Sequence, residues 1–170
     1  MPIAALPQTT VRAIGSTSVI SDPCSAVKEL LDNAIDASAT SLLVEISQNT
    51  VDVIQLKDNG HGIPPEDHPN VCKHAFTSKI QTIDDLRNVG GSSLGFRGEA
   101  LASVAELSGS VTITTRVASE VTGSCVKYAR DGEILKYVAC IHLKSCFSVA
   151  DKLLQFPANV PSDGHHTSHH

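Results

Sequence analysis

The run Asp22-Pro23-Cys24-Ser25-Ala26-Val27-Lys28-Glu29-Leu30-Leu31-Asp32-Asn33-Ala34-Ile35-Asp36-Ala37 constrains this chain more than any other stretch. Asp22 is a good N-cap, and Pro23 follows at the first helical position, where a missing N–H costs nothing. Val27, Leu30, Leu31, Ala34 and Ile35 recur at i, i+3, i+4, i+7 and i+8, the pattern of a buried stripe. An amphipathic helix over 22–37 is expected. Opposite the stripe, Glu29 and Asn33 stand one turn apart, and Asp36 continues their row. A carboxylate beside a carboxamide suits a water-activating base and a metal ligand, although a solvated helix face presents the same residue types.

Around this helix the chain alternates short β-rich runs with glycine-rich breaks. Thr10 to Ile14 reads as a short strand and Ser16-Thr17-Ser18 as a polar turn before the cap. Thr40 to Ser47 and Asp52 to Lys57 read as two antiparallel strands joined by a turn at Asn49-Thr50. The second strand runs into Asp58-Asn59-Gly60-His61-Gly62-Ile63. There a strand-end carboxylate precedes two glycines that let backbone approach a ligand, although a plain Asn-Gly turn has the same look.

Pro65 to about His74 is expected as a short helix, followed by the polar break Phe76-Thr77-Ser78-Lys79 and a further short helix over Thr82 to Asn88. Gly90, Gly91, Gly95 and Gly98 then lead into an apolar helical run from about Arg97 to Leu107. A glycine loop entering a helix N-terminus offers free N–H groups and a dipole to an anion. The pattern is neither the Walker nor the Rossmann fingerprint. From Gly109 the period changes to two: Ser110 to Val117 pairs with Gly123 to Arg130, and Asp131-Gly132 turns the chain into Glu133 to Lys136. The order implies an α+β sandwich with helices on one face of a mostly antiparallel sheet.

A chain of 170 residues is long enough for one domain with a real core. A net charge of −5, no Trp and 4% aromatics argue against strong non-specific binding of nucleic acid by this segment and leave little for base stacking. Five cysteines, an odd number without a C-x-x-C pair, fit reduced thiols better than a disulfide framework. The N-terminus lacks the apolar core of a signal peptide and no window reaches membrane-spanning length, so a soluble intracellular protein is expected. His61, His68 and His74 are expected on the surface or in loops, and Cys72 in the core. The terminal His165, His166, His169 and His170 have metal-ligand spacing only on a helix, which Gly164 and the chain end oppose.

Together the blocks VKELLDNAIDA at 27–37, DNGHGI at 58–63, FTSK at 76–79 and GFRGEALAS at 95–103 resemble the GHKL group of ATPases: gyrase, the heat-shock chaperone, histidine kinases and MutL. Within that group the N-terminal domain of MutL and post-meiotic-segregation-type DNA mismatch-repair proteins is the nearest likeness, over residues 9–136. The resemblance implies a two-layer Bergerat-type ATP-binding sandwich on a mostly antiparallel mixed sheet. It implies that Glu29 is the general base, that Asn33 ligates Mg²⁺ and that Asp58 accepts from the adenine amino group beside Gly62. Thr77, Ser78 and Lys79 would border the nucleotide, and Gly95, Phe96, Arg97, Gly98 and Glu99 would form the phosphate lid. ATP and Mg²⁺ are the implied ligands. ATP-driven dimerisation with a MutL-family partner, mismatched DNA bound through the full-length complex, and a nuclear location without membrane attachment are also implied. The GFRGEAL string disfavours a histidine-kinase catalytic domain.

The chain departs from the family after Lys136. A Gly-Thr-x-Val strand and a second domain would follow, but the sequence reads YVACIHLKSCFSVADKLLQFPANV. The expected organisation is an ATP-binding domain over 1–136 and a divergent tail over 137–170, of a truncated or mis-spliced product and without order. A sheet one strand short and without the second domain would leave, as the alternative function, a module that binds ATP or a partner without hydrolysis.

Overall fold

The cap signals that bracket the central helix place it where it forms. The computed structural model describes residues 5–48, 52–77, 94, 98–141 and, as backbone, 145–150. Helices α1 (Gln8–Val19) and α2 (Pro23–Asp36) precede the hairpin β1 (Leu42–Ile46) and β2 (Val53–Asp58). A 3-10 segment, Pro65–Asn70, then helix α3 (Ala100–Leu107) lead to β3 (Ser110–Thr115), β4 (Gly123–Tyr128), β5 (Ile134–Cys140) and β6 (Ser145–Ala150). The strands form one six-stranded sheet in the order β1-β2-β6-β3-β4-β5. Every pairing described is antiparallel, where a mixed sheet was expected.

Period-two alternation puts Ile54 and Leu56 of β2, Val111 and Ile113 of β3, and Val126 and Tyr128 of β4 into one buried cluster with the helices. Ile113 stands opposite Val126, and Val111 opposite Tyr128. From the helical layer come Ala26, Leu30 and Ala34 of α2 and Val104, Ala105 and Leu107 of α3. The architecture is the α+β sandwich that the order of elements implied. Cys72 lies in this core as expected, and burial pushes its thiol up to about 12.

Several expectations are corrected. Thr10 to Ile14 belongs to α1, not to a strand. Its β-branched residues look strand-like, but α1 packs on α3 and buries Ser16, and tertiary contact overrides a weak local preference. The Thr17 and Ser18 hydroxyls both donate to the Ile14 carbonyl, at 2.9 and 3.1 Å, so the polar stretch is accommodated inside the helix. In α2 the buried row is Ala26, Leu30 and Ala34, with Val27 and Leu31 beside it, while Ile35 is 51% exposed. Small residues at 26 and 34 bring that side of the helix close to its neighbours and turn Ile35 outward. His68, expected at the surface, is buried: its Nε2–H donates to the Ile63 carbonyl at 3.1 Å and its own carbonyl accepts from Tyr128 Oη at 2.9 Å.

The largest correction concerns the region after Lys136. Strand β5 continues through Cys140, and residues 145–150 enter the middle of the sheet between β2 and β3. The sheet is therefore not left a strand short. The sequence SCFSVA places Phe147 opposite Leu56 and Ile113, and Val149 opposite Ile54 and Val111, so an alternating segment fills the position without the Gly-Thr-x-Val pattern. Residues 151–170, with the terminal histidines, lie outside the described residues, as do the turn at Asn49-Thr50 and the helix expected over Thr82 to Asn88.

Candidate functional site

Helix α2 is fixed at its start by a reciprocal cap. Asp22 Oδ1 accepts from the Ser25 N–H at 2.7 Å, and the Asp22 N–H donates to Ser25 Oγ at 3.1 Å. Glu29 and Asn33 each follow a buried residue, Ala26 and Leu30, by three positions, so they border the buried row rather than oppose it. Both are half-buried. Among the described residues the Glu29 carboxylate has no hydrogen-bond or ion-pair partner; the neighbouring Lys28 pairs with Asp32 at 2.5 Å instead. That pairing raises the Lys28 ammonium above its ordinary value. A carboxylate on a rigid helix, partly desolvated and unspent, is a good proton acceptor.

The end of α2 meets two other segments. Asp36 Oδ1 accepts from the Leu94 N–H at 2.9 Å, tying the helix to the glycine-rich stretch. The Ala37 carbonyl accepts from the His61 N–H at 3.0 Å, tying it to the loop after β2. In that loop Asp58, the last residue of β2, turns Oδ1 onto the Gly60 N–H at 2.8 Å, and its second oxygen has no partner among the described residues. Asn59 locks the other side by accepting from the Thr40 and Ser41 N–H groups, each at 2.8 Å. Gly62 is buried at φ +78°, and a Cβ there would run into the Arg116 carbonyl oxygen. Beside it the Ile63 N–H donates to Thr115 Oγ1 at 2.8 Å, so the end of β3 sets the height of the loop.

The third segment joins two distant blocks of sequence. Glu99 Oε2 accepts from His74 Nδ1–H at 2.6 Å, and Glu99 Oε1 accepts from the Ala75 N–H at 3.0 Å. Gly98, at φ +65°, lies directly on the backbone of Phe76. These contacts seat Thr77 beside the start of α3. Glu99 occupies the N-cap position of α3 but makes no side-chain cap, and among the described residues no side-chain acceptor closes the N–H groups of the first turn. Such an end attracts an anion.

Glu29, Asn33, Asp58, Gly62, Thr77, Gly98 and Glu99 thus lie on segments that are hydrogen-bonded or packed together. Ser78, Lys79, Gly95, Phe96 and Arg97 lie outside the described residues. Sequence reasoning missed His74, Thr115 and the Arg116 carbonyl. For His74 the only available signal was its place directly before the hydroxyl-rich break; for the other two, long-range pairing alone reveals the role. No group of three or more His, Cys, Asp or Glu side chains suited to holding a metal occurs among the described residues. A single carboxamide such as Asn33 is nevertheless the kind of oxygen ligand Mg²⁺ takes alongside phosphate oxygens and water.

A fold of helices on an antiparallel sheet, with a helical carboxylate–carboxamide row beside glycine loops, defines a class of ATPases. The family of histidine kinase-, DNA gyrase B- and HSP90-like ATPases matches residues 20–140, and the chain belongs to it. Within that family it is similar to the DNA mismatch repair protein MutL. It is 40% identical to MutL of Aliivibrio salmonicida over 159 residues, 93% of this chain and 24% of that protein. Against MutL of Neisseria meningitidis the identity is 41% over 140 residues, 82% of this chain and 21% of that protein.

Among solved structures, the N-terminal domain of a DNA repair protein superposes with a TM-score of 0.69 at 28% identity, over 88% of this chain and 42% of that one. The Aquifex aeolicus MutL ATPase domain complexed with ADP gives 0.53 at 28% identity, over 77% of this chain and 42% of that one. The chain spans about a quarter of the length of the curated relatives it matches. The family match runs past Lys136 to Cys140, in step with β5. Among the described residues no helix is long and apolar enough to cross a membrane.

Proposed function

We propose that this chain is the ATP-binding and ATP-hydrolysing module of a MutL-type DNA mismatch-repair protein. The observation that carries the reading is the Glu29 carboxylate, without a hydrogen-bond or ion-pair partner among the described residues, on a capped helix whose far end is hydrogen-bonded to the glycine-rich stretch through Asp36 and Leu94. Asp58, with one oxygen held by Gly60, uses the other to accept from the adenine amino group. Thr77, Ser78 and Lys79 and the stretch Gly95, Phe96, Arg97 and Gly98 border the phosphates, and Glu99 stands behind them at the first turn of α3, which favours their charge.

Glu29 orients a water and takes its proton as the water oxygen attacks the γ-phosphorus, releasing ADP and phosphate. Asn33 would hold Mg²⁺, which when bound would supply charge neutralisation at the phosphates. ATP binding would drive dimerisation with a MutL-family partner, and mismatched DNA would be engaged by the full-length assembly. The relatives above are bacterial, so they lend no support to a nuclear location.

Single-turnover hydrolysis of ATP with Mg²⁺ tests the reading. The parent chain forms ADP, and Glu29→Ala retains ATP but forms ADP at least about 100-fold more slowly. Equal rates would remove Glu29 from its role. ATP binding by the parent without any ADP would favour the non-hydrolysing module; of its two grounds, β6 removes the sheet one strand short and leaves the second domain.

A further inference from the structure

Glu99 sits where the family resemblance puts a nucleotide contact, yet its carboxylate is already committed. One oxygen takes His74 Nδ1–H at 2.6 Å and the other takes the Ala75 N–H at 3.0 Å. His74 and Glu99 are comparably buried, with 30% and 31% of their side chains exposed, so water screens the contact only in part. Ala75 is held at φ +63°, one of two non-glycine residues among those described in the left-handed region, where a Cβ is strained. From this kink the chain passes through Phe76, on which Gly98 lies so closely that no side chain fits at 98. Three consecutive residues, His74 to Phe76, are thereby pinned to the two residues that precede α3, and Thr77 follows directly.

We infer that His74 and Glu99 are positioning residues: their hydrogen bond, together with the Ala75 kink, presents the segment bearing Thr77 to the nucleotide without touching it. This inference rests on the ATP-binding reading. Such a clamp accounts for three features that otherwise stand unrelated: a helix N-cap residue that caps nothing, a strained alanine, and a histidine placed directly before the hydroxyl-rich break. A left-handed alanine persists only where its surroundings hold it, and the Glu99 carboxylate is the group bonded to its N–H. Without the clamp, residue 75 relaxes toward ordinary backbone angles and Thr77 is displaced. Because positional errors of about an ångström weaken a phosphate site steeply, the effect reaches ligand affinity without any lost ligand contact.

The test measures equilibrium binding of ATP with Mg²⁺ to the whole chain. Glu99→Ala and His74→Ala are expected to weaken binding about tenfold or more. His74→Asn, whose amide nitrogen can stand in for Nδ1–H toward Glu99, should recover most of it. Adding Ala75→Gly to Glu99→Ala should recover part of the loss, since glycine takes the left-handed angle without help. A merely structural role for Glu99 gives no reason for rescue at position 75.

If the parent chain does not bind ATP, the functional reading fails and the inference with it. If the parent binds and Glu99→Ala and His74→Ala bind equally well, the clamp alone is overturned. Should Glu99→Ala fail to fold, His74→Ala against His74→Asn decides: equal affinities for the two overturn the inference, and a clear advantage for Asn supports it.

Discussion

Helices α2 and α3 begin in opposite ways. At α2 the Asp22 carboxylate and the Ser25 hydroxyl satisfy each other's backbone N–H groups, so the end carries its own anion and its own acceptors. At α3 the residue in the same position, Glu99, turns its carboxylate away to His74 and Ala75, and among the described residues no side chain caps the first turn. The first end is finished for stability. The second forgoes a cap of the kind that stabilises helices by about 1 kcal/mol and keeps its N–H groups available to a ligand. Both helices reach the same core, so the contrast reflects what each terminus is for rather than how well each helix packs.

The comparison breaks most severely at Gly98. Gly98→Ala forces a Cβ against the Phe76 carbonyl at a positive φ, and is expected to cost about 2–3 kcal/mol in denaturant unfolding together with the nucleotide-dependent rise in melting temperature. Next, a carboxylate placed in each first turn separates the two ends. Ala100→Glu should weaken ATP binding about tenfold by occupying the dipole of α3, while Cys24→Glu in the first turn of α2 should leave affinity within about twofold, both read by titration calorimetry. If both substitutions weaken binding alike, the two ends do not differ as argued.

Smaller effects belong to the closed end. Ser25→Ala removes half of the reciprocal cap and is expected to lower the melting temperature by about 2–4 °C with no change in ATP affinity. The smallest is a pH slope. The Ser25 backbone N–H, before any other cause, holds the Asp22 carboxyl below its ordinary 3.8. Because the folded value lies below the unfolded one, this contribution is complete above pH 3.8 and is lost as pH falls through the folded value. Asp22→Asn keeps the capping oxygen, so melting curves between about pH 5 and about pH 2 should lose part of their acid dependence.

The cap of α2 was legible because its determinants are local: Asp22, Pro23 and Ser25 act within one turn. The β1–β2 pairing and the Asp131-Gly132 turn were legible for the same reason, and the latter closes with Gly132 at φ +80°. Helix α1 was not, since Thr10, Val11 and Ile14 favour a strand until the segment packs on α3. Strand β6 was missed because the expected pattern was a particular motif, whereas the sheet required only alternation at the right register. In the candidate site, the α2 row and the strand-end Asp58 could be read from spacing. The pairing of His74 with Glu99 could not, because no local rule connects residues 25 apart.

The place of β6 has a consequence for how the domain is made. Strands β1 and β2, and β3 to β5, can pair as soon as each group leaves the ribosome, but the seam between the two groups is the last described strand of the chain. A nascent chain that has not yet reached Ser145 lacks the strand that joins the two groups, so any pairing within them leaves the inner edges of β2 and β3 without that partner. The period before that strand enters is when the chain is most exposed to pairing with a neighbour, and a chaperone that shields those two edges would act at that step.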